Sequence, residues 1–258
     1  MKSSSIILTS LGLQMKQTFA RPMFKYTMIV GPLLYTIILG EIFRNASAAS
    51  FVAYVVLGSG LLNLWNSIAF SSAGDINRER FSNTLSIIFT APADFRLILL
   101  GKIIGNTILS LGAFFLSVFF AIAIYRPEIN VHSWHLLSLS LILALVAFIV
   151  VSIFIAYLLT LSKKTELWMN CLTYPFAIVF GFLFPIENLP QAIQYISWIF
   201  PPTWAVRLMR YSVVDTSYAF TDALIPLLIT TAIFVALAGL LYRAIFRQAK
   251  VNGTLDMA

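Results

Sequence analysis

The feature that most constrains this chain is a series of six apolar segments, each close in length to a helix that crosses a lipid bilayer. They occupy residues 26–43, 51–73, 97–125, 136–161, 167–184 and 223–246. A spanning helix needs about 20 apolar residues, and a backbone in lipid must satisfy its own hydrogen bonds. None of the segments shows the strict alternation of membrane-barrel strands. The sequence therefore predicts an all-α integral membrane protein with six transmembrane helices.

The composition agrees with this class. Charged residues make up 10% of the chain and apolar residues 60%, whereas a soluble domain has about 25% charged residues. The net charge of +7 fits loops beside anionic lipid headgroups, so we expect no nucleic-acid partner. The single cysteine, Cys171, lies in an apolar segment, and we expect it to be a small buried residue.

The distribution of Lys and Arg predicts the orientation. With six spans, both termini lie on one side together with 13 of the 17 Lys and Arg residues. The other side holds Arg44, Arg126, Arg207 and Arg210. Because basic residues are concentrated in cytoplasmic loops, we expect both termini in the cytoplasm and the protein in the cell (inner or plasma) membrane of a bacterium.

The first 22 residues are too polar for a span. Apolar residues there are interleaved with Thr9, Gln14, Lys16 and Gln17. This pattern is typical of an amphipathic helix that lies on the membrane surface. Residues 1–22 are therefore predicted to form an interfacial helix, after which Pro22 turns the chain into the first span.

A proline-rich apolar stretch follows the fifth predicted span, at residues 187–210. It contains Pro190, Pro201 and Pro202, and proline interrupts a helix by removing a backbone donor and clashing with the previous turn. We interpret it as two short re-entrant helices between spans five and six. The alternative is a seventh span kinked at the prolines, which would place the basic C-terminal residues outside.

A dense charged stretch separates spans two and three. The charged residues fall within residues 75–102: Asp75, Arg78, Glu79, Arg80, Asp94, Arg96 and Lys102. Apolar residues follow at helical spacing, at Phe81, Leu85, Ile88 and Phe89. The spacing predicts a short amphipathic helix over residues 76–90, ended by Pro92, on the cytoplasmic side.

This stretch resembles the corresponding loop of type-2 ABC transporter permeases, the ABC-2 family. In that family an Arg-Glu-Arg run precedes a Thr-Leu pair, a proline, and a Gly-Lys that opens the next span. The matching residues are Arg78, Glu79, Arg80, Thr84, Leu85, Pro92, Gly101 and Lys102. Asn83 stands where the family usually has glycine. A second segment, FLFPIENLPQAIQYISWIFPPTWAVRLMR, resembles the family's region between spans five and six.

The resemblance implies that residues 76–90 are a coupling helix that docks into a separate ABC ATPase. The implied coupling residues are Arg78, Glu79, Arg80, Phe81, Asn83, Thr84 and Leu85. It also implies a homodimer of this chain with two ATPase copies, and ATP and Mg²⁺ bound on the ATPase. The sequence contains no G-x-x-x-x-G-K-[ST] phosphate loop, so we expect no catalytic residues and no cofactor on this chain.

Polar residues inside two spans are candidates for a substrate path. They are Ser59, Asn63, Asn66, Ser67 and Phe70 in span two, and Asn170, Thr173 and Tyr174 in span five. Each set shares one helix face. The resemblance implies that these spans line the path across a dimer axis. Contacts between helices, worth about 0.6 kcal/mol per hydrogen bond, are an equally good interpretation.

Two further pairs of residues lie on the outer side. Glu41 and Glu187 lie at outer span ends and are either headgroup-level caps or parts of an outer gate. His132 and His135 lie three residues apart in an outer loop, but a metal site needs three or four ligands in a fixed geometry. We therefore expect no metal site.

The sequence thus favours the membrane subunit of an ATP-driven exporter of an amphipathic small molecule, such as a drug, antibiotic or peptide. A lipid-linked glycan or polysaccharide is the alternative cargo, since the chain is rich in aromatic residues. A secondary transporter or channel is the alternative of a different class. The centres of the six spans lack Asp, Glu, Lys and Arg, which disfavours the ion or proton relay that such a protein needs.

Overall fold

The computed structural model describes residues 3–82, 94–128, 131–160, 165–213 and 219–252, which are helical apart from short connections. The helices are α1 Ser3–Ala20, α2 Pro22–Ile42, α3 Ala48–Phe51, α4 Leu57–Phe81, α5 Phe95–Tyr125, α6 Trp134–Thr160, α7 Thr165–Val179, α8 Gln191–Ile199, α9 Pro201–Val213 and α10 Phe220–Asn252. A π-helical segment, Val52–Val56, joins α3 to α4. The predicted all-α class is confirmed for this part of the chain.

Within the described ranges, five helical segments are long and apolar enough to cross a membrane. They are Phe24–Ile42, Ala48–Ala69, Phe95–Tyr125, Trp134–Leu159 and Phe220–Ala244. The fifth predicted span, residues 167–184, corresponds to α7, which has 15 residues. A helix of that length is about 22 Å long, shorter than the roughly 30 Å hydrocarbon core. The protein is a multi-pass membrane protein, and the count of six spans stays a prediction.

Local chemistry explains several helix ends. Arg21 is extended and Pro22 occupies the first turn of α2, as predicted, because proline there loses no intrahelical hydrogen bond. The carboxylate of Asp94 accepts a hydrogen bond from the backbone N–H of Arg96 and caps α5. Gly181, just beyond α7, has φ of 74°, a conformation that glycine adopts without steric cost.

The continuous rod formed by α3, the π-helical segment and α4 is the centre of the fold. Its span is the most buried of the five. The indole of Trp65 is almost fully buried and makes edge contacts with Phe148 on α6 and with Phe176 and Phe180 at the end of α7. These aromatic contacts hold the neighbouring helices around the rod. By contrast, α2 and α10 are the least buried spans.

Helix α1 packs closely against the first half of α5. An added Cβ at Gly101 would lie 2.6 Å from the backbone oxygen of Ile7, and one at Gly105 would lie 3.0 Å from that of Leu11. Glycines four residues apart therefore form a notch that admits the α1 backbone. Gln14, a polar residue of the helix that the sequence places at the membrane surface, is buried. It is buried because its amide joins a polar network described below.

The proline-rich stretch contains two short helices, α8 and α9, which meet at Phe200. The backbone of Phe200 is extended, and Pro201 and Pro202 begin α9, where proline is compatible with the first helical turn. Their placement as re-entrant helices stays a prediction.

Two sequence-based expectations need correction. Residues 76–81 of the predicted coupling helix are the last turns of α4, which runs unbroken to Phe81, so Arg78 and Glu79 lie on the helix of the second span. Residues 83–93 lie outside the described residues. Cys171 is exposed rather than buried, because it lies on a face of α7 that packs against no other helix in the described chain.

Candidate functional site

The most concentrated polar structure in the described chain is centred on the buried carboxylate of Asp75, near the end of α4. Oδ1 of Asp75 lies 3.0 Å from Nη2 of Arg21 and 3.3 Å from Nη2 of Arg78. Oδ2 accepts hydrogen bonds from the side-chain amides of Gln14 and, at 3.1 Å, Asn106. One carboxylate therefore ties together α1, the α1–α2 junction, α4 and α5. We call these five residues the Asp75 cluster.

A chain of hydrogen bonds extends the Asp75 cluster into the contact between α1 and α5. Nε2 of Gln14, whose two hydrogens are shared with Asp75, also lies 2.9 Å from Oγ1 of Thr18 and 3.0 Å from Oδ1 of Asn106. The hydroxyl of Thr18 donates to the same Asn106 oxygen at 3.1 Å. All three side chains are buried. Buried networks of this kind fix one arrangement of their helices, because a broken member leaves a desolvated polar group.

The Asp75 cluster holds its charges in a partly desolvated setting. Burial lowers the pKa of Arg78 from its usual value, and the Asp75 carboxylate opposes that shift. Arginine starts from so high a pKa that its guanidinium stays charged at neutral pH. The interactions with Asp75 are therefore charge-assisted, which makes them stronger than neutral hydrogen bonds.

A second ion pair joins α4 to α5 beside the Asp75 cluster. The carboxylate of Glu79 pairs with the ammonium of Lys102, and both side chains are largely shielded from solvent. Two of the predicted coupling residues, Arg78 and Glu79, thus have partners within this chain. The side chains of Arg80 and Phe81 are outside the described set, as are Asn83, Thr84 and Leu85 entirely.

Ser59 and Asn63 of the predicted path make contacts between helices. The hydroxyl of Thr36 on α2 donates to Oγ of Ser59 at 3.3 Å. Nδ2 of Asn63 donates to Oγ of Ser117 on α5 at 2.9 Å and to the backbone oxygen of Ser59 at 2.8 Å. Both Ser59 and Asn63 are buried within a single copy. Neither side chain therefore needs a second copy to shield it from lipid.

A cavity of about 770 Å³ lies between α2 and α4. Asn63, Asn66 and Ser67 line it from α4, and Arg21 and Arg78 line it at the end where the Asp75 cluster lies. Oδ1 of Asn66 is buried and accepts no hydrogen bond from the described residues. Three predicted path residues therefore share one cavity, although α2 forms its opposite wall and no described side chain of α7 lines it.

The predicted path residues of the fifth segment lie elsewhere. The side chain of Tyr174 on α7 is 71% exposed. The side chains of Phe70, Asn170 and Thr173 are outside the described set. Contact between α4 and α7 runs instead through Trp65, Phe176 and Phe180.

The two acidic residues of the possible outer gate have separate partners. Glu41 accepts a hydrogen bond from the hydroxyl of Tyr125 at 3.2 Å and pairs with Arg44 at 3.4 Å. Glu187 pairs with Arg207 at 3.3 Å. Both carboxylates are more than half exposed. Exposed pairs contribute roughly 0–1 kcal/mol, so these contacts leave both side chains able to exchange partners.

Sequence reasoning missed the role of Arg210, which we had assigned to an outer loop. This side chain is buried on α9. Its guanidinium donates to the backbone oxygens of Ala53, Gly181 and Phe182 and lies 4.1 Å from the ring centre of Tyr54. It joins α9 to the π-helical segment and to the turn after α7. The signal was available, because Arg210 follows Val206 and precedes Val213 at the spacing of one apolar helix face.

No group of three or more His, Cys, Asp or Glu side chains that could hold a metal ion occurs within the described ranges. The ring of His132 contacts that of Tyr211, with centres 6.3 Å apart.

Comparison with known protein families identifies a match. The model of a family described as ABC-2 family transporter protein matches residues 17–240. The matched region begins within α1 and ends within α10, so it includes the Asp75 cluster apart from Gln14, and all of the cavity and Arg210. None of the curated proteins matches the chain.

Proposed function

The chain belongs to the ABC-2 family of transporter proteins, and from this membership we propose that it is the permease subunit of an ATP-driven exporter. The resemblance found in the sequence is thereby confirmed. A permease of this family works with an ABC ATPase and does not itself hydrolyse ATP. In our proposal ATP and Mg²⁺ bind on that ATPase, and the cargo is an amphipathic small molecule that leaves the cytoplasm or the inner leaflet.

The observation that carries the proposal is the position of the cavity. It is lined by Asn63, Asn66 and Ser67 and ends at Arg21 and Arg78, two members of the Asp75 cluster. Ligand sites in proteins commonly have volumes of about 300–1,000 Å³, mostly apolar walls and a few placed polar groups. A cavity of this kind, beside the loop proposed to meet the ATPase, suits a transporter whose cargo is partly apolar.

The Asp75 cluster supplies a physical link between the loop and the cavity. Arg78 belongs to the Asp75 cluster and also lines the cavity. Glu79, the next residue, is paired with Lys102 on α5. A movement of the loop that follows Phe81 would therefore move the ends of α4 and α5 together, since buried ion pairs resist separation. We propose that ATP-driven movement of the ATPase reaches the cavity through these contacts.

We further propose a homodimer of this chain with two ATPase copies. Ser59 and Asn63 do not support it, because they are buried in one copy. The exposed face of α7 supports it instead, with Trp168 and Tyr174 both at least half exposed. Cysteines placed at Tyr174 should cross-link between copies, and the yield should change with ATP. Absence of cross-links in the membrane would contradict the dimer.

The function is tested by purifying the tagged chain from its native membrane. We expect an ABC ATPase to purify with it in an equal number of copies. ATP hydrolysis by the reconstituted pair should rise with transported amphiphiles. A secondary transporter or channel would bring down no ATPase and would respond to an ion gradient instead.

A further inference from the structure

The lining of the cavity between α2 and α4 changes from charged residues at one end to apolar residues at the other. Arg21 and Arg78 lie at one end, where both contact Asp75. The other end reaches Leu34 and Ile38 on α2. From Arg78 to Asn63, α4 rises by about 22 Å at 1.5 Å per residue. The cavity is therefore elongated, cationic at one end and apolar at the other.

The charge at the cationic end is unbalanced. Two guanidinium groups share one carboxylate, and the described residues that line the cavity include no acidic side chain. The contacts with Asp75 involve Nη2 of each arginine, and the Arg21 and Arg78 side chains remain 26% and 46% exposed. A guanidinium has five N–H donors. Further donors can thus bind a carboxylate, sulfate or phosphate group in the fork geometry that arginine favours.

The walls beyond the arginines suit an apolar chain. Leu34, Tyr35 and Ile38 line one side, and an added Cβ at Gly31 would lie 3.2 Å from Oδ1 of Asn63, so the two helices are close at this point. The buried Oδ1 of Asn66 accepts no hydrogen bond from the described residues. Most of the remaining lining is apolar or aromatic.

We infer that this cavity binds a single-chain amphipathic anion, with its anionic head at Arg21 and Arg78 and its apolar chain between α2 and α4. The inference rests on the proposed function in one respect. Predicted path residues line the cavity, so in an exporter the bound anion is either the cargo or a membrane lipid. Cationic amphiphiles are disfavoured, because their heads would face two guanidinium groups at the same end of the cavity.

The test is a binding titration on the full chain in phosphatidylcholine nanodiscs, without ATPase or ATP. The probe is 11-(dansylamino)undecanoate, and its comparison compound has the same chain with a trimethylammonium head. We expect the carboxylate to bind at least about tenfold more tightly, which corresponds to one charge-assisted hydrogen bond. Equal affinity for both heads would overturn the inference.

Two pairs of variants locate the site. Arg21→Gln should weaken binding of the carboxylate probe about tenfold, whereas Lys25→Gln, an equal change of charge one turn away at an exposed residue outside the cavity lining, should not. Equal loss in both variants would indicate a general effect of surface charge and would overturn the site.

The second pair of variants changes residues outside the Asp75 cluster. It therefore still tests the site if Arg21→Gln fails to fold. Leu34 and Ile29 both lie on α2 and are 52% and 55% exposed, but Leu34 lines the cavity and Ile29 does not. Leu34→Trp should weaken probe binding several-fold by filling the cavity, and Ile29→Trp should leave it unchanged. Binding that is insensitive to Leu34→Trp would place the probe elsewhere.

Nanodiscs that contain phosphatidylglycerol distinguish the two sources of the anion. Displacement of the probe by this lipid identifies a bilayer lipid, and retained binding identifies a soluble amphiphile; the site stands in either case. Because no ATPase is present, failure of the inference is separable from failure of the proposed function. Selective anion binding without a co-purifying ATPase would support the anion site and contradict the proposal that the chain is an exporter subunit.

Discussion

The carboxylate of Asp75 and the guanidinium of Arg21 lie 3.0 Å apart, although 54 residues separate them in the chain. The contact joins the end of α4 to the residue between α1 and α2. It links the N-terminal helix to the helix of the second span. Predictions about coupling therefore begin at this pair.

Asp75→Asn should destabilise the protein. The substitution removes the charge that two arginines share. Because the Arg21 and Arg78 side chains are 26% and 46% exposed, we expect a loss of about 1–3 kcal/mol, less than the cost of breaking a fully buried pair. Thermal unfolding in detergent measures the loss. Glu128→Gln, an equal change at an exposed carboxylate, is the control and should differ little from the parent. Similar stability of both variants would mean that the Asp75 cluster contributes little.

The Glu79–Lys102 pair predicts the outcome of charge reversal. Glu79→Lys should abolish transport, and the swapped double variant Glu79→Lys/Lys102→Glu should regain stability, because it restores opposite charges between α4 and α5. Recovery of stability without transport would assign Glu79 a separate contact with the ATPase. Full activity of Glu79→Lys alone would show that neither contact matters.

Gly101→Ala should loosen α1. The new Cβ would lie 2.6 Å from a backbone oxygen of α1, so the helix must move, at a cost of roughly 1–3 kcal/mol for overpacking. Trypsin should then cleave faster at the exposed Lys16. Gly239→Ala is the matched control, since an added Cβ there meets no atom within 4 Å and alanine favours a helix. Equal cleavage rates in the two variants would refute the tight α1–α5 contact.

Arg210→Gln should destabilise the region that α9 joins. The variant loses charge-assisted hydrogen bonds to three backbone oxygens, each worth about 1.5–3 kcal/mol. The control is Arg207→Gln on the same helix, whose partner carboxylate, Glu187, is 64% exposed, so that the pair contributes about 0–1 kcal/mol. The measurement is the unfolding temperature of each variant, which should fall further for Arg210→Gln than for Arg207→Gln. A larger loss for Arg207→Gln would contradict the buried role of Arg210.

Cysteine labelling in a Cys171→Ala background tests the count of spans. Cysteines at Ser82 and Lys164 should react after permeabilisation alone, while one at Asn130 should react in intact cells. The position that decides is Asp215. It should react from outside if α7 crosses the membrane and the two short helices return to the same side. If Asp215 reacts from the cytoplasm, the count of six spans is wrong. A cysteine at Glu187 then separates the alternatives: reaction from outside identifies the proline-rich stretch as a seventh span, and reaction from the cytoplasm means that α7 does not cross and the protein has five spans.

The membrane class, the helical fold and the family were determined by the sequence. Long apolar segments have one good solution in lipid, which is a helix with internal hydrogen bonds. The motif around Arg78, Glu79 and Arg80 and the proline-rich segment indicated the ABC-2 family, which the match over residues 17–240 confirms. The break at Phe200 also follows from local chemistry, since Pro201 and Pro202 favour a new helix start.

The tertiary structure decided which side chains each polar residue contacts. The helical period shows that Ser59 and Asn63 share a face, but it does not show whether lipid, a second copy or α2 and α5 cover that face. The same limit applies to Asp75, Gln14 and Arg210, whose partners come from distant helices. A buried polar residue reads in sequence like an exposed one, because burial depends on which helices pack around it. The three-dimensional packing of α1, α4 and α5 therefore determined where the charges lie and which cavity they border.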